Sequence, residues 1–210
     1  MKKLWVLLLS ACIGLGTLVA QDINTLKEQA QKGNAQAQYN LAVSYERGEG
    51  VPQNYAQAVK WYRLAADQGF VDAQFNLGGM YGTGRGVPQD YVQAAKWYRL
   101  AADQGDATAQ FNLGVMNDNG QGVPQNYAQA VKWYRLAADQ GFASAQFNLG
   151  LMYHDGRGVP QDYVQAHTWY NLAAAQGHAH GANNRDLVAK RMTPQQIERA
   201  QELARNWKPK

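Results

Sequence analysis

Cysteine is almost absent from this 210-residue chain, and the one cysteine, Cys12, lies near the N-terminus. A domain after it has no internal disulfide, no cysteine-based metal site and no cysteine nucleophile. An excess of one charge is also missing, since 20 basic residues stand against 16 acidic ones; the excess lies in residues 178–210, with seven Lys or Arg and three Asp or Glu. Nucleic-acid binders show a strongly basic stripe along the body, so we expect no nucleic-acid partner.

The N-terminus has the order of a secretory signal. Two lysines precede an apolar run from Leu4 to Ala20. This run has 17 residues, whereas a membrane span needs about 20, so we expect no stable span in the mature chain. Two processing sites stay open. Cleavage after Ala20 is favoured and gives a periplasmic or secreted protein, whereas processing at Cys12 attaches a lipid anchor and gives a membrane-anchored lipoprotein.

A 36-residue period runs through the rest of the chain, where tryptophan, proline and glycine each recur four times at this spacing. The tryptophans are Trp61, Trp97, Trp133 and Trp169. Such a period predicts an array of repeats, in which each unit buries its apolar face against its neighbours. Residues 50–70 and 122–142 are identical, so duplication of a 72-residue pair is the simplest origin of the array.

Each repeat is predicted to fold as two helices joined by a turn. In the first helix Ala37, Leu41 and Tyr45 recur at four-residue spacing and mark a buried face. A Gly-x-Gly-Val-Pro-Gln segment then provides the turn, because glycine permits positive backbone angles and proline stops the helix. The second helix is predicted to start after an N-cap, Asn54 in the first repeat, with Gln57 completing a capping box. Its Trp-Tyr pair is predicted to be core.

The predicted segments follow the period. They are a signal peptide at 1–20, an N-terminal capping helix at 21–33, repeats at 34–69, 70–105, 106–141 and 142–177, and C-terminal capping helices at 178–210. In the last segment Thr193, Pro194 and Gln196 are typical of a capped helix start. The helix that follows has one apolar side and one polar side, as a terminal cap requires.

The recurring pattern Ala-x-x-x-Leu-Gly-x-x-Tyr, Gly-x-Gly-Val and Trp-Tyr-x-x-Ala-Ala-x-x-Gly resembles the Sel1-like repeat, a relative of the tetratricopeptide repeat, over residues 34–177. The resemblance implies an all-α fold, namely a right-handed α-solenoid of helix-turn-helix repeats with a C-terminal capping helix, whose concave face holds protein partners. It also implies a role in signalling, envelope processes or host contact. Asn117 departs from the pattern, because other repeats have tyrosine there, and predicts looser packing in the third unit.

The four repeats differ from one another mainly at the end of the first helix and in its turn. We expect these polar positions to be exposed and to form one edge of a protein-binding surface; neutral variation in exposed loops is the alternative. The candidate residues are Glu46, Arg47, Glu49, Thr83, Arg85, Asp118, Asn119, Gln121, His154, Asp155 and Arg157.

No catalytic constellation stands out in the sequence. Asp67, Asp103 and Asp139 occupy one register, which is typical of surface residues on equivalent helices rather than of an acid and a base. The four histidines lack a recognised ligand spacing, so we expect no metal site and no cofactor. The sequence therefore favours a non-catalytic, monomeric adaptor or scaffold that binds proteins. The alternative is a small-ligand or cell-wall-acting protein with weak, β-lactamase-like hydrolase activity.

Overall fold

The structure, a computed structural model, describes residues 23–210, so the predicted signal peptide and Cys12 lie outside the described residues. The chain divides into two compact units, with the boundary between Trp97 and Tyr98. Regular structure in the described range is helical. The helices are α1 (23–31), α2 (Ala35–Arg47), α3 (Tyr55–Asp67), α4 (Val71–Thr83), α5 (Tyr91–Asp103), α6 (Ala107–Asn119), α7 (Tyr127–Asp139), α8 (Ala143–Asp155), α9 (Tyr163–Ala175), α10 (Gly181–Ala189) and α11 (Pro194–Asn206).

The predicted N-caps start the second helices, but only half of the expected capping box forms there. The side chain of Asn54 accepts a hydrogen bond from the Gln57 amide. The backbone amide of Asn54 does not pair with the Gln57 side chain, because it donates to the backbone carbonyl of Tyr45 at 2.8 Å. This hydrogen bond connects the start of α3 to α2. A complete capping box occurs at Thr193 and Gln196, where α11 begins as predicted.

The aromatic pairs form the core, as the sequence predicts. Tyr62, Tyr134 and Tyr170 are fully buried, and Trp133 and Trp169 are nearly so. Small alanines surround them on both helices of each repeat, so the helices approach closely. The first-helix face predicted from four-residue spacing is also buried at Ala37 and Leu41.

A buried glutamine on each first helix links that helix to the one before it. The side-chain amide of Gln38 donates to the carbonyl of Ala30 at 3.1 Å, and Gln74 donates to Ala66 at the same distance. Within a repeat, the glutamine at the end of the second helix donates to this buried side chain, as Gln68 does to Gln38 at 2.7 Å. Gln110 and Gln146 repeat the arrangement in the second unit. Because buried polar atoms need partners, this glutamine ladder fixes the register between helices.

Candidate protein-binding site

The candidate site begins with a carboxylate at the end of the first helix. Glu46, the penultimate residue of α2, accepts a 2.6 Å hydrogen bond from the hydroxyl of the buried Tyr62. Burial, with Glu46 as the second cause, raises the pKa of Tyr62 well above its ordinary value, so the hydroxyl stays protonated and donates. The other Glu46 oxygen lies 3.4 Å from the guanidinium of Arg85, in the turn of the next repeat.

Arg85 reaches Glu46 because its turn lies directly against the preceding repeat. Its guanidinium lies 4.3 Å from the ring centre of Tyr55, the first residue of α3. The next residue, Gly86, has φ +75°, and a Cβ there would be 2.4 Å from the backbone carbonyl of Tyr55. The turn therefore requires glycine at this position, and the close approach places Arg85 over the tyrosine.

The second unit contains the same arrangement, which we call the acid–arginine pair. Asp118 lies 3.2 Å from Arg157 and 3.5 Å from the hydroxyl of the buried Tyr134. The guanidinium of Arg157 lies 5.6 Å from the ring centre of Tyr127. In the sequence, the corresponding acidic position of the second repeat is Gly82 and the basic position of the third is Gln121. The acid–arginine pair therefore recurs every 72 residues, at the period of the duplication, and not every 36.

The backbone at the acidic position is held in the same way in every repeat, whatever the side chain. The glutamine after the turn proline donates its side-chain amide to this carbonyl, as Gln53 does to Glu46 at 2.9 Å. The carbonyls of Gly82, Asp118 and His154 accept equivalent bonds at 2.7 Å. Since the turn needs only the carbonyl, the side chain is free to differ between repeats.

Four of the predicted surface residues connect one repeat to the next through the acid–arginine pairs, and the others lie around them. The four are Glu46, Arg85, Asp118 and Arg157. Arg47 and Glu49 are exposed and 3.7 Å apart. Asn119 and Gln121 are exposed at the end of α6 and in its turn. His154 is half-buried between the rings of Tyr163 and Tyr170.

A cleft of about 150 Å³ in the first unit brings three predicted residues together. They are Glu46, Thr83 and Arg85. The residues that complete the lining were not predicted from the sequence; they are Phe75, Asn76, Gly79 and Met80 of α4. A signal was present for one of them: asparagine occurs at this register in all four repeats, although Asn76 is only half-buried.

The fourth repeat shows why the cleft is open in the first unit. Gly79 and Thr83 occupy the registers that Leu151 and Asp155 occupy in α8. The smaller pair leaves room beside the acid–arginine pair and removes one negative charge. A second depression, along α11, is lined by exposed polar residues whose charges are already matched, as between Arg199 and Glu202 at 2.7 Å.

The histidines do not converge. His178 stacks on Phe147 with ring centres 4.3 Å apart and lies 6.3 Å from His180. His167 is buried in α9, and His154 packs against tyrosines. In residues 23–210 no group of three His, Cys, Asp or Glu side chains is arranged to hold a metal ion. Over the same residues, no helix is long and apolar enough to span a membrane.

Paired helices that recur every 36 residues, and that pack on one another within each unit, define a helical-repeat protein of the α-solenoid class. The model of the Sel1 repeat matches residues 35–70, 71–106, 107–142 and 143–178, and the chain belongs to the Sel1 repeat family. Proteins of this family are generally protein-interaction modules. A search of curated proteins gave no match.

Two solved structures of bacterial repeat proteins are similar to this chain. One is a protective antigen present in uropathogenic Escherichia coli strains and displaying an SLR fold; it is 36% identical, with a TM-score of 0.79 over 92% of this chain. The match covers 44% of that protein, so this chain spans less than half of its length. The other is a Sel1 repeat protein from Oxalobacter formigenes, 30% identical, with a TM-score of 0.72 and coverage of 90% of this chain and 82% of that one. The predicted all-α solenoid fold is confirmed.

Proposed function

We propose that this chain is a non-catalytic adaptor or scaffold that binds a protein partner at the cleft beside Glu46 and Arg85. One observation carries the proposal: the cleft combines Asn76, whose register is asparagine in all four repeats, with the residues that distinguish the second repeat from the fourth. Shared residues keep the fold, so the differing ones, Gly79 and Thr83, are available to set which partner binds. Membership of a family of interaction modules supports the same function.

The proposed place of action is the bacterial envelope or the exterior, where the partner belongs to the same envelope or to a host. The N-terminal order of two lysines and an apolar run supports export. The similarity to a protein described as a protective antigen in uropathogenic strains also supports an exterior position. We propose that the chain acts as a monomer, which light scattering of the purified protein tests directly.

The test is a cross-linking capture with the full chain carrying a C-terminal tag, from native envelope, culture medium and host-cell extract, followed by mass spectrometry. Gly79→Leu fills the cleft with the residue that the fourth repeat has at this register. Val92→Ala is the matched control, since Val92 is exposed and the first and third repeats have alanine there. We expect one defined protein to be captured by the original chain and by the control, and to be lost with Gly79→Leu. Equal capture by all three forms, or capture by none, would contradict the proposed site.

A further inference from the structure

The two arginines of the acid–arginine pairs differ in the number of carboxylates that they meet. Arg157 lies 3.2 Å from Asp118 and 3.3 Å from Asp155. The second contact is an ion pair without hydrogen-bond geometry, because the Nε of Arg157 has no hydrogen-bond partner. Arg85 lies 3.4 Å from Glu46, and the register of Asp155 is occupied by Thr83. Arg85 therefore meets one carboxylate where Arg157 meets two.

Thr83 does not replace the missing carboxylate. Its hydroxyl donates to the carbonyl of Gly79 at 2.8 Å, one turn earlier in the same helix. The Arg85 side chain is 45% exposed, compared with 36% for Arg157. One side of the Arg85 guanidinium thus faces open space, and that space is the cleft, since Gly79, Thr83 and Arg85 all line it.

We propose that this cleft takes the acidic side chain, aspartate or glutamate, of a protein partner. The carboxylate meets Arg85 as Asp155 meets Arg157 in the fourth repeat, so the chain itself contains a version of the bound state. Two carboxylates on one arginine are accommodated there, which shows that Glu46 need not move away. This inference rests on the proposed function and names the chemistry that its partner presents.

The site is preorganised for this ligand. Tyr55 lies under the guanidinium and Glu46 holds one edge of it, so little side-chain freedom is lost when a carboxylate arrives. A cleft of about 150 Å³ holds a single side chain rather than a folded element.

The test uses the immobilised full chain and a pool of random octapeptides with acetylated N-termini and amidated C-termini, so that side chains supply every carboxylate. We expect the retained peptides to be enriched in aspartate or glutamate. Replacing that residue by its amide in one enriched peptide should weaken binding about tenfold, as measured by fluorescence polarisation, and added salt should weaken binding of the acidic form. Retention without acidic enrichment would overturn the inference, as would retention only of peptides from a matched pool with free C-termini.

Two variants at one position separate charge from structure. Thr83→Asp copies the fourth repeat and supplies the carboxylate internally, whereas Thr83→Asn copies the third repeat and is uncharged. We expect Thr83→Asp to bind the acidic peptide with about tenfold lower affinity and Thr83→Asn to keep the affinity of the original chain. The two variants should have equal unfolding temperatures. Equal binding by both variants would overturn the inference. A captured partner that is lost with Gly79→Leu but kept with Thr83→Asp would overturn the acidic ligand alone and leave the proposed function standing.

Discussion

At the scale of single residues, the fourth repeat differs from the others where a cap covers it. His167 is 3% exposed in α9 and stands at the register of Val59 and Val131. Its Nδ1 has no hydrogen-bond partner. Burial lowers the pKa of His167, Arg185 on α10 lowers it further, and Asp186 opposes the change. The imidazole is therefore buried in its neutral form.

This burial makes the second unit sensitive to acid. Because the folded-state pKa is below the unfolded one, the unfolded chain binds the proton more readily, and stability falls as the pH drops through about 6.5. We expect His167→Val to reduce the loss of unfolding free energy between pH 7.5 and pH 5, measured by urea denaturation. Part of the loss should remain, because burial also lowers the pKa of His178.

His180→Ala is the control for this measurement: His180 is exposed and is only the second cause, after burial, of the lowered pKa of His178, so its replacement should keep the part of the acid sensitivity that belongs to His167. If the His167→Val variant had the same pH dependence of stability as the original chain, the role assigned to His167 would be contradicted.

At the scale of elements, α11 packs on a face of α9 that differs in sequence from the same face of the equivalent helices. Leu64 and Leu136, on the equivalent helices α3 and α7, are 40% and 48% exposed, whereas Leu172 is 9% exposed. Thr168 stands where the other repeats have lysine, and its hydroxyl lies 2.8 Å from the carbonyl of Val164 in its own helix and 3.2 Å from the carbonyl of Ala200 on α11. Replacing a charged residue by threonine therefore converts an exposed helix face into a contact face.

Thr168→Lys should undo this docking. A lysine there would either bury its ammonium group or push α11 away, and we expect a loss of about 2–4 kcal/mol of unfolding free energy. Hydrogen exchange should show α11 losing protection before the rest of the second unit. The reverse change Lys132→Thr, on the exposed face of α7, should alter stability by less than about 0.5 kcal/mol. Unchanged protection of α11 in Thr168→Lys would refute the docking argument.

At the scale of the whole molecule, the 72-residue pair is the unit in which the array repeats. Because residues 50–70 and 122–142 are identical, removing residues 70–141 leaves the sequence around the junction unchanged. It also places Arg157 at the register of Arg85, so Glu46 keeps an arginine partner. We expect this shorter chain to stay helical by circular dichroism, with a lower unfolding temperature and a smaller urea m-value.

A deletion of residues 70–135 is the control, because it breaks the 36-residue period and should abolish cooperative unfolding. If the in-period deletion lost its helical signal to the same degree, the array would not be built from interchangeable pairs.

The sequence predicted most of the fold because the features that determine it recur at one register. Proline, glycine and Trp-Tyr spacing located the helices, turns and core, and Thr193 with Gln196 located the last helix. The acid–arginine pair was not predicted, since its members lie at different registers and are 39 residues apart. The same reason hides the cleft, which depends on Gly79 being small beside Arg85. The looser packing predicted at Asn117 is not seen: this residue is buried and donates to the carbonyl of Leu113 at 2.8 Å.

The glutamine ladder has a direction. In every one of its hydrogen bonds the donor comes later in the chain than the acceptor, as with Gln38 and Ala30 or Gln68 and Gln38. The register continues to Ala182 on α10, where the donor is missing and the ladder ends. The bonds described join residues 8 or 30 positions apart, so a chain that emerges N-terminus first, from a ribosome or through a secretion channel, can complete each bond within the length of one repeat.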